Sequence, residues 1–343
     1  MERDPLDLPA TPERLRAIAA AGALPPETLD RALEIAAEPP GAEAWRRSLD
    51  LVLLALGSGL FVAGLFFLLA WNWDSLGRLE KLSVPAAAVA LAAGAAARLG
   101  VDRLAGKVLL TAASLLVGAL LAVFGLVYQT GADPYGLFLA WAALILPWVL
   151  VARFPWLWLL LVALVDTSVI LYAGQVLDAE TSEEVAWVAL VLAGIDGGAW
   201  AAWEALGGGR VPWMAGRTTP WFLGTATLAA LAFAALVLIS GPDRAGPPGW
   251  IGAALLLATL GAMTRVHRRL RPDLALLASG AVVVLVVLTC LAGRVLYEDL
   301  RIRDEGGLFI LGLLVVILGG ALALWLRRTH AAMRAEFGPE GEE

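Results

Sequence analysis

Several residue types that carry chemistry are scarce in this 343-residue chain. It has one cysteine, Cys290, and two histidines, His267 and His330. One thiol cannot form an internal disulfide, and no Cys/His spacing fits a zinc or iron–sulfur site. Neither histidine lies in an apolar segment that would enclose a haem. We therefore expect no metal and no cofactor. The only lysines are Lys81 and Lys107, so arginine supplies nearly all of the 25 basic residues, set against 31 acids. A net charge of −6 without clustered bases gives no electrostatic footprint for nucleic acid. Charge of either sign is also thin. Only 16% of residues are charged, where soluble domains carry about a quarter.

What fills the chain instead is apolar sequence: 60% hydrophobic residues and a mean hydropathy of +0.78. It falls into blocks of about twenty, the helix length that crosses a ~30 Å hydrocarbon core. Only helices and closed barrels satisfy their backbone groups in lipid. The expected fold is all-α: a polytopic transmembrane helical bundle of about ten spans with a small N-terminal cytoplasmic helical pair. The spans fall near Leu49–Trp71, Leu82–Leu99, Val108–Tyr128, Tyr135–Val151, Trp156–Ala173, Val185–Trp203, Pro220–Ser240, Pro248–Val266, Leu274–Gly293 and Leu308–Leu326. The fourth and fifth are separated only by Ala152–Pro155, which fits either a tight hairpin or one broken element.

With the N-terminus inside, only Arg78, Lys81, Arg244, Arg294, Arg301 and Arg303 fall outside, leaving 19 of the 25 basic residues on the inner face. That bias predicts a multi-pass protein of the bacterial inner membrane with cytoplasmic N- and C-termini. The outer loop Gln175–Glu184 has four acids and no base, which agrees. Most tryptophans, Trp158 and Trp203 among them, sit at span ends and read as an aromatic belt.

Four segments follow: a two-helix cytoplasmic module at 1–48, a first membrane half at 49–173, a second at 174–327, and a short cytoplasmic tail at 328–343. In the module, Thr11-Pro12 starts one helix and Pro25-Pro26 the next, with Pro39-Pro40 as the stop. Two short amphipathic helices cannot build an independent core, so they are expected to pack on each other, on the membrane surface or on a partner.

Tyr128–Leu150 reads YQTGADPYGLFLAWAALILPWVL, and Trp71–Lys81 reads WNWDSLGRLEK. Together these stretches resemble the uncharacterised bacterial membrane family known as domain of unknown function 2157. The likeness spans roughly Leu15 to Tyr172, and it implies a membrane protein without implying an activity. Physically, Gly131 suits a positive φ, Asp133 a helix cap and Pro134 a first helical turn. Tyr128, Gln129, Thr130 and Asp133, with Asn72, Asp74 and Arg78 on the neighbouring loop, form a candidate external polar mouth. An ion pair of Asp133 with Arg78 or Lys81 would close it.

Two acids fall inside spans. Asp166 is followed by Thr167 and Ser168, and Asp196 is flanked by Gly194, Gly197 and Gly198. An ionised Asp at a helix centre costs about 2.5–3.5 kcal/mol on insertion scales, so it usually faces a partner or cavity. Asp166, Thr167, Ser168 and Asp196 are the candidate coupling or ion pathway. The glycines would let the Asp196 helix unwind or pack closely. No catalytic set of nucleophile and base appears, which argues against an enzyme. The expected function is proton- or cation-coupled transport of a small solute. The alternative is a membrane scaffold or assembly partner of other envelope proteins. Lipid is the one partner that composition demands; the small-molecule or ion substrate is not readable.

Overall fold

The computed structural model describes residues 71–337 except 129–130, 132, 208–210, 241, 270 and 303–304, together with single positions before residue 71. The 1–48 module and the first expected span lie largely outside the described residues, as do Gln129 and Thr130.

Among the described residues there are nine long helices and no strand. They are α1 (Arg78–Leu99), α2 (Leu104–Tyr128), α3 (Pro134–Ala152), α4 (Pro155–Gln175), α5 (Ser182–Gly207), α6 (Thr218–Ser240), α7 (Pro242–Arg269), α8 (Leu274–Arg294) and α9 (Glu305–Phe337). Each contains a stretch long and apolar enough to cross a bilayer. The chain is a polytopic transmembrane helical bundle, and these nine match the last nine expected spans.

Local chemistry sets the helix ends. α1 starts at Arg78 rather than near Leu82, because the Glu80 carboxylate accepts the Gly77 N–H at 2.8 Å. Pro134 and Pro155 open α3 and α4 in the first turn, where a missing N–H costs nothing. Between these two helices Arg153 takes left-handed angles (φ 48°, ψ 46°), so the ambiguous pair is a tight hairpin. Thr181 and Glu184 cap α5 reciprocally: Glu184 accepts the Thr181 N–H at 3.0 Å, and Thr181 Oγ1 accepts the Glu184 N–H at 3.3 Å. Farther along, α9 continues to Phe337, well into the segment expected to be a short tail at 328–343. Ala, Met and Arg in that stretch are good helix formers, and Thr329 and Met333 are buried.

The helices pack as two groups. In the first, α1 lies on α2 and α3 on α4, with α2 also against α3. Its interior holds Leu110, Val117, Ile145, Val149, Leu157 and Leu164. In the second, α6 is central and packs on α5, α7 and α8. Leu228, Leu231, Leu256, Met263 and Leu276 fill that interior. The groups meet where α4 lies against α5 and α6, contacts thinner than those of α1 on α2, of α3 on α4 or of α6 on its three neighbours.

Candidate functional site

Asp166 is the twelfth residue of α4, and Asp196 stands eleven residues before the end of α5. The helices run antiparallel, so both aspartates lie about 16 Å from the end of the bundle where α4 begins and α5 finishes, at ~1.5 Å per residue. They share one layer at the seam between the two groups, close enough for each carboxyl to act on the other. Asp196 is buried, at 4% exposure, and Asp166 is half-buried. No basic side chain among the described residues forms an ion pair with either, and Asp166 Oδ1 has no hydrogen-bond partner.

Two cavities flank this pair along the seam. The larger, about 780 Å³, is lined by Ser168, Val169 and Tyr172 of α4, by Trp187, Val188 and Val191 of α5, and by Tyr135 and Leu139 of α3. A smaller one of about 150 Å³ lies toward the opposite end, against Trp158 and Val162 of α4 and Ala199 and Trp203 of α5. Asp166 falls between Val162 and Val169, and Asp196 between Val191 and Ala199. Neither aspartate lines either cavity.

The other sequence candidates behave differently. Thr167 Oγ1 donates to the Ala163 carbonyl of its own helix at 2.7 Å. Ser168 Oγ donates to the Tyr135 carbonyl at 3.0 Å, tying α4 to α3. α5 runs unbroken through Asp196. Of the glycines there, a side chain at Gly197 would press on Thr227, whereas Gly194 and Gly198 face open space. Close packing at Gly197 is thus realised, and unwinding is not.

The loops expected to form an external polar mouth are less organised than their sequence suggested. Gly131 has φ +57° and Asp133 stands at the N-cap of α3, but its side chain makes no capping bond. Tyr128 is half-exposed and packs on Phe124 at 4.7 Å. Asp74 and Arg78 are exposed and Asn72 is half-buried. Among the described residues Asp133 pairs with neither Arg78 nor Lys81; the Lys81 ammonium sits 4.3 Å over the Trp73 ring instead.

Residues 17–158 match the family described as predicted membrane protein (DUF2157). No curated protein and no solved structure matches the chain. The matched segment takes in the WNW stretch and the Tyr128–Pro134 loop, and it ends on α4 before Asp166. Both buried aspartates therefore lie outside it, and the family description assigns them nothing.

Two constellations escaped the sequence reading. The Trp158, Trp203 and Trp213 rings pack together with centroids 5.5–6.4 Å apart, and Trp203 is buried. These indoles are packing residues of the α4–α5 seam, where a lipid belt was expected for Trp158 and Trp203. At the same end of the bundle Arg217 donates to Asp273 Oδ2 at 2.6 and 2.8 Å and to Glu204 at 2.8 Å. Arg271 adds bonds to the carbonyl and carboxylate of Glu204 at 2.8 and 3.0 Å. Asp273 also caps α8 by accepting the Leu276 N–H at 3.0 Å. This network joins the ends of α5, α6 and α8 through residues up to 67 positions apart. Acids beside span boundaries were its only sequence signal.

Proposed function

We propose that this protein couples proton or cation movement to passage of a small solute across the bacterial inner membrane, with both termini cytoplasmic. The single observation carrying the reading is the pairing of Asp166 with Asp196 midway along α4 and α5, between two cavities and with no basic partner among the described residues. Two ionised carboxylates at such a distance repel strongly in a low dielectric, and one proton between them converts repulsion into a hydrogen bond. Arrival and departure of a proton therefore changes how tightly α4 holds α5. That seam is where the two helix groups meet, so it is the natural hinge for opening one cavity and closing the other. Ionisable residues inside membranes commonly mark such relays.

Proteoliposomes with an entrapped pH dye test this. Under an imposed potassium diffusion potential, the wild-type protein should acidify the lumen faster than empty liposomes do. Asp166→Asn and Asp196→Asn should each return the rate to that of empty liposomes. Undiminished flux in the double variant would sink the coupling role.

A further inference from the structure

We propose that the 780 Å³ cavity between α3, α4 and α5 binds a lipophilic organic cation. The inference deepens the transport reading by naming a substrate class, and it rests on that reading only for what happens after binding. The volume lies within the ~300–1,000 Å³ usual for small-molecule sites. The lining is mostly apolar, and Leu139, Leu177 and Trp187 are half-exposed on its rim. A ligand can thus enter sideways from the hydrocarbon, which selects for a lipophilic one.

Charge then selects the sign. Glu184 lines the cavity, with its Oε2 fixed by the Thr181 N–H and hydroxyl at 3.0 and 2.8 Å. Asp178, Glu180 and Glu183 belong to the same ten-residue stretch, which contains no base. The N-terminal dipole of α5 carries roughly +0.5 charge, and Glu183 and Glu184 in its first turn outweigh it. Tyr172, held edge-on to Tyr135 at 5.1 Å, and Trp187 add aromatic surface of the kind that attracts cations. An anion would meet no compensating charge among the residues that line the cavity, and one turn farther along the seam lies the carboxyl pair.

Tetraphenylphosphonium and tetraphenylborate are matched in size and shape and opposite in charge, so they separate a charge-selective site from an apolar slot. With the full-length protein in nanodiscs, quenching of tryptophan emission should report saturable binding of the phosphonium. The borate should not compete. Val188→Trp, which fills the cavity, should abolish the saturable component. Glu184→Gln retains the capping acceptor and should weaken binding about two- to fivefold, the worth of one exposed ion pair. Melting of each variant at the wild-type temperature checks that the fold is intact. Equal competition by the borate would identify an acyl-chain slot indifferent to charge and overturn the proposal, as would unchanged affinity in Glu184→Gln. Intact phosphonium binding in a wild-type protein that moves no protons would defeat the coupling reading alone. Proton flux without phosphonium binding would defeat the cation site alone.

Discussion

Helices α1–α4 and helices α5–α8 differ in what ties them together. The first group relies on apolar packing with a few neutral bonds, such as the Trp141 indole N–H to the Ser114 carbonyl at 2.7 Å. The second adds the Arg217–Glu204–Asp273–Arg271 network at one end. At the other end Arg294 donates to the Leu238 carbonyl at 2.9 Å, so α8 is pinned to α6 by charge on both sides of the membrane. Two aspartates show the contrast in miniature. Asp133 and Asp273 both stand at helix N-caps, yet only Asp273 accepts a capping bond. Charge-assisted bonds fix geometry as well as energy. The second group is accordingly the stiffer body, and motion at the α4–α5 seam should be carried by the first.

The sharpest way to break this contrast is Asp273→Ala. The change removes the α8 cap and both Arg217 bonds at a site only 9% exposed. A loss of roughly 3–5 kcal/mol is expected, as for one partner of a buried ion pair. Thermal unfolding in detergent measures it; a loss no greater than that of Asp133→Ala would erase the difference between the groups. Gly252→Val should come next. A Cβ there would stand 2.6 Å from the Ala234 Cβ and 3.1 Å from the Ala235 nitrogen, where α7 rests on α6. Overpacking of this kind costs about 1–3 kcal/mol. Wild-type melting of Gly252→Val would show that α6 and α7 are free to separate.

The nine described helices were legible because bilayer thickness fixes how long an apolar run must be, and proline and Asp or Thr caps mark where it begins. That Asp166 and Asp196 fall inside apolar helices was legible for the same reason. Which way each side chain points was not. Each residue turns a helix by a hundred degrees, so facing depends on how α4 and α5 are rotated by their neighbours. Thr167 and Ser168 show the consequence, turning to their own helix and to α3 although they follow Asp166 directly. The Arg217 network was hidden for a different reason. Its partners are 13 and 56 residues apart, and no local pattern links Glu204 to Asp273.

Two smaller effects probe the first group. Trp141→Phe removes the N–H to Ser114, a neutral, part-buried bond worth about 1 kcal/mol, together with part of the indole that rests on Gly118, so a loss of about 1–2 kcal/mol is expected. A loss approaching that of Asp273→Ala would mean that α2 and α3 are pinned as firmly as α6 and α8. Asp133→Ala should do least. Its side chain is exposed, makes no capping bond and pairs with no cation among the described residues, so a change within about 0.5 kcal/mol is expected. Proline at the first position of α3 already sets the helical φ and lacks one of the donors that a cap would satisfy. A cap alongside it has correspondingly less to do. If Asp133→Ala nonetheless lowered the melting point as a working cap does, by ~1 kcal/mol, the Tyr128–Pro134 turn would be an anchored element of the first group, and its stiffness would have to be counted with that of the second.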